Sequence, residues 1–174
     1  MSVSDNQALR YRRLAFYAED MDRINATLVN FLKKSDARCA VLIDREGHSV
    51  AKQGILKDLD SASLAALVAG SFASTAQVAR LLGEEQFTVL FHQGSERSIH
   101  ITLVGDRTLQ VAVFNSSTKS GLIQVLAREL AGQLTGILDE IAERDPDGVQ
   151  AEAGLEAGFS DQMKDHLDDL FGDL

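Results

Sequence analysis

Residues 61–79 read SASLAALVAGSFASTAQVA, a run with no charged side chain in a protein whose residues are one-quarter charged. The run is nearly long enough to cross a bilayer. Ser61, Ser63, Ser71, Ser74, Thr75 and Gln77 interrupt it, however, and strand-like segments flank it on both sides, so it reads as a helix laid on a sheet. Ser61 is the expected N-cap and Leu82-Gly83 the expected stop, because glycine adopts the left-handed conformation that ends helices. Plotted at about 100° per residue, Leu64, Leu67, Val68, Val78 and Leu82 gather on one side, with Ser71 and Thr75 among them and Phe72 and Leu81 at the flanks. That bulky side is expected to pack on the sheet. Ala65, Ala66, Ala69, Gly70, Ala73 and Ala76 gather opposite, with Gln77 and Arg80 at the edge. A smooth, uncharged face allows close approach of another helix or a partner surface, whereas an ordinary exposed face would carry Lys and Glu.

Before this helix, RCAVLID at 38–44 and HSVAKQ at 48–53 read as a hairpin turning at Glu46-Gly47. After it, 87–93 (FTVLFHQ), 98–104 (SIHITLV) and 108–114 (TLQVAVF) read as an antiparallel meander. Two amphipathic helices bracket these strands. The first, about 9–34, places Leu14, Tyr17, Met21, Ile24, Leu28, Phe31 and Leu32 at steps of three and four. The second, 118–144, does the same with Leu122, Val125, Leu126, Leu130, Leu134, Ile137, Leu138 and Ile141. The order α-ββ-α-βββ-α predicts an α+β fold, a five-stranded antiparallel sheet with helices on its faces.

Asp145-Pro-Asp-Gly148 ends the last helix and opens an Ala-, Gly- and Glu-rich linker to residue 158. Beyond it, FSDQMKDHLDDLFGDL (159–174) spaces Met163, Leu167, Leu170 and Phe171 as one helical face with Asp165, Asp168 and Asp169 behind, a short acidic amphipathic helix. The expected organisation is an extension over 1–13, a domain over 14–144, a flexible linker over 145–158 and a tail helix over 159–174.

Charge and chemistry narrow the function. Lys and Arg against Asp and Glu give a net +2 over residues 1–35, −1 over 36–138 and −10 over 139–174. A nucleic-acid binder needs the opposite sign on its working surface, so that class is excluded. One cysteine, Cys39, permits no disulfide within the chain and no zinc cluster, which fits a reducing cytoplasm. No secretory signal is expected from MSVSDNQALRYRRLAF. The run STKSG at 117–121 lacks the P-loop spacing. His92 and His100 lie on neighbouring strands with no carboxylate or thiol to complete a metal set. Asp44, Glu46 and His48 flank a turn, Cys39 reads as a buried thiol, and neither a catalytic constellation nor a cofactor site is expected.

CAVLIDREGHSVAKQG, LAALVAGSFASTAQVARLLGE and FTVLFHQG, in this order, resemble the roadblock (dynein light chain) superfamily, and within it the MglB-type partners of the Ras-like GTPase MglA. The similarity covers about residues 15–144 and reappears in the acidic Leu-Phe ending. The resemblance implies a homodimer with central helices side by side and sheets joined edge to edge. It implies a platform that accelerates GTP hydrolysis without an arginine finger, by shifting the GTPase toward its competent switch arrangement. It also implies cytoplasmic placement, with room for concentration at a cell pole, in the control of polarity or gliding motility, and contacts with other polarity proteins. By position, GTPase-facing small residues fall on Ala73 and, one turn later, Gln77, and the expected contact surface is Ala66, Ala69, Gly70, Ala73 and Gln77. Gln77 departs from the usual glycine or alanine and projects further, so the geometry also suits a scaffold that binds without stimulating hydrolysis. For the tail, the resemblance implies binding to the GTPase through Met163, Leu167, Leu170 and Phe171, with exchange promoted in some members.

Overall fold

The computed structural model describes residues 18–144, apart from Leu56 and Asp58. The expected 1–13 extension, the linker, the tail helix and its four anchors lie outside the described residues, as do Leu14 and Tyr17. Residues 18–138 make one compact unit, and the last residues of the final helix belong to a second. The elements are α1 (Ala18–Ser35), β1 (Cys39–Asp44), β2 (Ser49–Gly54), α2 (Ser61–Leu81), β3 (Val89–Gln93), β4 (Arg97–Val104), β5 (Thr108–Asn115) and α3 (Ser120–Arg144).

The sheet runs β2-β1-β5-β4-β3, every neighbour antiparallel. The hairpin and the meander therefore join through β1 and β5, with Cys39 opposite Val113 and Asp44 opposite Thr108. That pairing makes β5 central, and its residues from Thr108 to Phe114 are all buried.

Side chains alternate across the pleat, so the register sorts the sheet into two faces. Val41, Ile43, Ile101, Leu109 and Val111 face α2 and form one cluster with its Ala65, Val68 and Phe72, joined at the rim by Leu64, Leu90, Ile99 and Leu103. The other face carries Ala40, Leu42, Ala112 and Phe114 under α1 and α3. Ile24, Leu28 and Phe31 of α1 are buried at the expected helical spacing, and Gln53 Nε2 donates to Asn25 Oδ1 at 2.9 Å, tying β2 to α1. Lys34 Nζ meets Glu129 Oε1 at 3.0 Å and joins α1 to α3. Both groups are nearly half exposed, so this pair adds well under about 1 kcal/mol. Ile123, Ala127, Leu130 and Leu134 of α3 are buried.

This second face is also polar. Ser98, His100, Thr102 and Gln110 are buried on it. Thr102 Oγ1 lies 3.1 Å from His100 Nδ1, whereas His100 Nε2 and both amide atoms of Gln110 have no hydrogen-bond partner among the described residues. Burial holds the His100 imidazole below its usual pKa, because a charged ring there would lose hydration without compensation.

Candidate functional site: the outward face of helix α2 and the edge strand β3

Helix α2 is capped one residue earlier than expected. Asp60 Oδ1 accepts from the backbone N–H of Ala62 and Ser63, each at 3.1 Å, and Oδ2 accepts from Ser63 Oγ at 2.6 Å. These bonds, that from the Ser63 hydroxyl foremost, hold the Asp60 carboxyl below the ordinary carboxylate range. Asp60 outcompetes Ser61 because its two oxygens satisfy two orphan backbone donors and a hydroxyl at once. At the other end Gly83 takes φ +77°, its N–H donates to Arg80 O at 3.1 Å, and the N–H of Glu84 donates to Ala79 O at 2.9 Å. The two bonds make a Schellman stop at the expected glycine.

The helix is rotated by about 90° from the orientation expected by side-chain size, as a wheel at 100° per residue measures it. Ala65, Val68, Ala69, Phe72 and Ala79 are buried against the sheet, and Leu64, Thr75 and Ala76 are half buried. Leu67, Val78, Leu81 and Leu82, expected beneath the helix, are 70%, 48%, 86% and 68% exposed. The anchor is Phe72, the largest apolar side chain of the segment, and small alanines on either side of it let the helix approach the sheet closely. The hairpin turn enforces the same approach: Gly47 has φ +88°, and a Cβ there would stand 2.8 Å from Ala66 Cα.

Four of the five residues expected to form the contact surface, Ala66, Gly70, Ala73 and Gln77, face outward. Ala69 does not: at 6% exposure it is pinned between helix and sheet, a correction that follows from the rotation. In its place the outward face gains Leu67, Ser74, Val78 and Leu81, of which size-sorting had sent the three apolar ones to the core. The result is a surface of small residues with apolar ends and no charge before Arg80. Ser74 Oγ donates back to Gly70 O at 2.9 Å and leaves only a methylene to project, so Gln77 is the polar side chain that stands out from this face. An added Cβ at Gly70 would meet nothing within 4 Å, so packing within the chain does not require glycine there.

At the edge away from β2 the sheet ends in β3, with one side paired to β4 and the other unpaired among the described residues; its Val89 and Phe91, opposite Thr102 and His100, lie on the face away from α2. Val89 and Phe91 are 38% and 43% exposed. Phe91 stacks on Phe114 with ring centroids 6.0 Å apart, and the ladder to β4 keeps the edge extended.

The remaining candidates separate. His92 pairs with Ile99 and Phe91 with His100, so the two histidines are one register step out of line and point to opposite faces. They cannot share a metal. The Cys39 thiol is buried and pushed up by desolvation, an effect that Arg38 and Arg97 only partly offset, so it is held as an unreactive thiol. At the β1–β2 turn, ligand atoms of Asp44, Glu46 and His48 lie within 4.8 Å of one another. His48 Nδ1 already meets Asp44 Oδ2 at 2.9 Å and the His48 N–H donates to Asp44 Oδ1 at 2.7 Å, so Asp44 and His48 clasp the turn.

A family model described as the Roadblock/LC7 domain matches residues 23–114, from α1 to the end of β5. The chain belongs to the Roadblock/LC7 family. Among solved structures it is similar to MglB of Myxococcus xanthus, with 32% identity over 72% of this chain and 95% of that one and a TM-score of 0.69. It is equally similar to the gliding protein MglB of Thermus thermophilus, with 32% identity, 73% and 96% coverage and a TM-score of 0.70. A third, an MglB with tetrameric arrangement, gives 32% identity, 74% and 96% coverage and a TM-score of 0.71. No curated protein matches the sequence. The roadblock recognition and the α+β fold read from the sequence both hold.

Proposed function

We propose that the chain is an MglB-type regulator that binds a Ras-like GTPase of the MglA type and accelerates its GTP hydrolysis, working as a cytoplasmic homodimer in the control of cell polarity or gliding motility. The observation that carries this reading is the outward face of α2, uncharged from Ala66 to Gln77 on a 21-residue helix. An uncharged face that leaves Leu67, Val78 and Leu81 exposed is suited to burial against another surface. The similarity to MglB supports the choice of partner. Two copies meeting along α2, with β3 edges adjacent, would cover Leu67, Val78 and Leu81 together with the open edge, the two features that a lone protomer leaves to water. Hydrolysis would then be stimulated by stabilising the competent arrangement of the GTPase's own switch residues.

The exposed Gln77 favours a second reading, a scaffold that holds the GTPase without changing its rate. Single-turnover phosphate release from a GTP-loaded MglA-type GTPase, with and without the chain, separates the two. The proposal expects a rate at least about tenfold faster, which is a barrier lowered by about 1.4 kcal/mol. Binding with an unchanged rate selects the scaffold, and neither binding nor acceleration sinks both.

A further inference from the structure

Helix α2 does not cover its sheet face to the end. Beyond Val41 and Val111 the same face continues to Cys39, Val113 and Arg97, and there Ile55, which is 59% exposed, and Leu59 lie against it. Ile55, Leu59, Cys39 and Val113 line an open notch with Arg38 and Arg97 at its rim. Neither guanidinium has a carboxylate partner among the described residues, and both act electrostatically on the Cys39 thiol on the notch floor. An apolar floor between two cations that have no carboxylate partner among the described residues calls for an apolar anchor flanked by carboxylates. The sequence contains one: residues 159–174 carry five aspartates against one lysine, with Asp168 and Asp169 directly before Leu170 and Phe171.

We propose that the notch is a docking site for the acidic 159–174 segment of a second copy of this chain, Leu170 and Phe171 resting on Ile55 and Leu59 while Asp168 and Asp169 reach Arg38 and Arg97. The second copy is the source because the notch opens on the sheet face that α2 covers, where the neighbour sits in the dimer; this clause rests on the dimer reading. A segment held there is withheld from any GTPase, so the notch regulates the tail by competition.

The test uses the full chain with Phe171→p-benzoyl-phenylalanine, prepared as an equal mixture of nitrogen-15-labelled and unlabelled copies allowed to exchange. After irradiation, mass spectrometry maps the adducts, and sedimentation reads the assembly state of the same sample. Heavy-to-light adducts on residues 52–60 or 97–113 are expected, with yield falling at least tenfold in Arg38→Glu/Arg97→Glu. An Arg38→Gln/Arg97→Gln variant with native circular dichroism guards against loss of fold and is expected to lose at least threefold. A dimer whose adducts lie elsewhere, join only copies of one label, or survive both double substitutions overturns the docking and leaves the dimer standing. A monomer without heavy-to-light adducts overturns the dimer reading and the docking with it.

Discussion

Ala73→Arg probes the outward face at its centre. Ala73 is exposed on α2, and the arginine can extend into water, so the free chain should change by no more than about 0.5 kcal/mol, as surface substitutions do. In a complex that closes over this face the same guanidinium would be desolvated without an arranged partner. The cost is then about 2–4 kcal/mol, which weakens binding roughly 30- to 1000-fold. Ala69→Arg is the control: one turn away but 6% exposed, it would force a charge between helix and sheet and destabilise folding by more than about 3 kcal/mol. The assay is urea unfolding of each variant together with calorimetric titration against the GTP-loaded GTPase, with sedimentation reporting the dimer. Wild-type affinity in Ala73→Arg would refute the assignment of this face. Equal folding losses in the two variants would refute the rotation of α2, and a variant that is well folded but monomeric would assign Ala73 to the contact between copies.

Phe72→Ala should remove the anchor of α2 and cost about 3–5 kcal/mol, read from denaturant midpoints; a loss below about 1 kcal/mol would mean the helix is not held there. Gly47→Ala should destabilise by at least about 2 kcal/mol, since a left-handed φ and contact with the Ala66 backbone act together, and unchanged thermal stability would contradict the close approach. Gly70→Ala, at a position with open space around it, should stabilise the free chain by roughly 0.5–1 kcal/mol, while a loss would reveal a hidden contact. His100 is held neutral by burial, with its folded pKa below the unfolded value. On acidification below about pH 6.5 the unfolded chain takes up a proton that the folded chain resists, so stability falls with pH by up to about 1.4 kcal/mol per unit until the folded pKa is passed. His100→Leu should flatten that fall just below about pH 6.5, and identical slopes would exclude His100 as its source.

The elements were legible from local signals. A period of two marks strands, a period near 3.6 marks helices and glycine marks the stops, and these place the elements to within about two residues at their described ends, β3 starting at Val89 where Phe87 was expected. Which strands meet was less legible: nothing local in CAVLID and TLQVAVF says that they pair, because that contact closes the hairpin onto the meander across the intervening chain. The N-cap moved by one residue for the same kind of reason, two good capping side chains standing side by side in Asp60 and Ser61 and only the bond geometry choosing between them.

For the candidate site, the sequence by itself determined that residues 61–79 would form an uncharged helix with more apolar surface than a soluble domain ordinarily exposes, and it pointed to Ala66, Ala69, Gly70, Ala73 and Gln77, of which all but Ala69 face outward. Only the tertiary structure decided which side of that helix touches the sheet. With apolar residues of every size distributed around the whole circumference, ranking by bulk favoured the Leu67–Val78 side. Packing chose Phe72 and the flanking alanines instead, because the sheet surface and the Gly47 turn reward close approach of backbone to backbone more than the burial of the most leucines. That choice buried Ala69, exposed Leu67 and Leu81, and made the outward face both smooth and apolar.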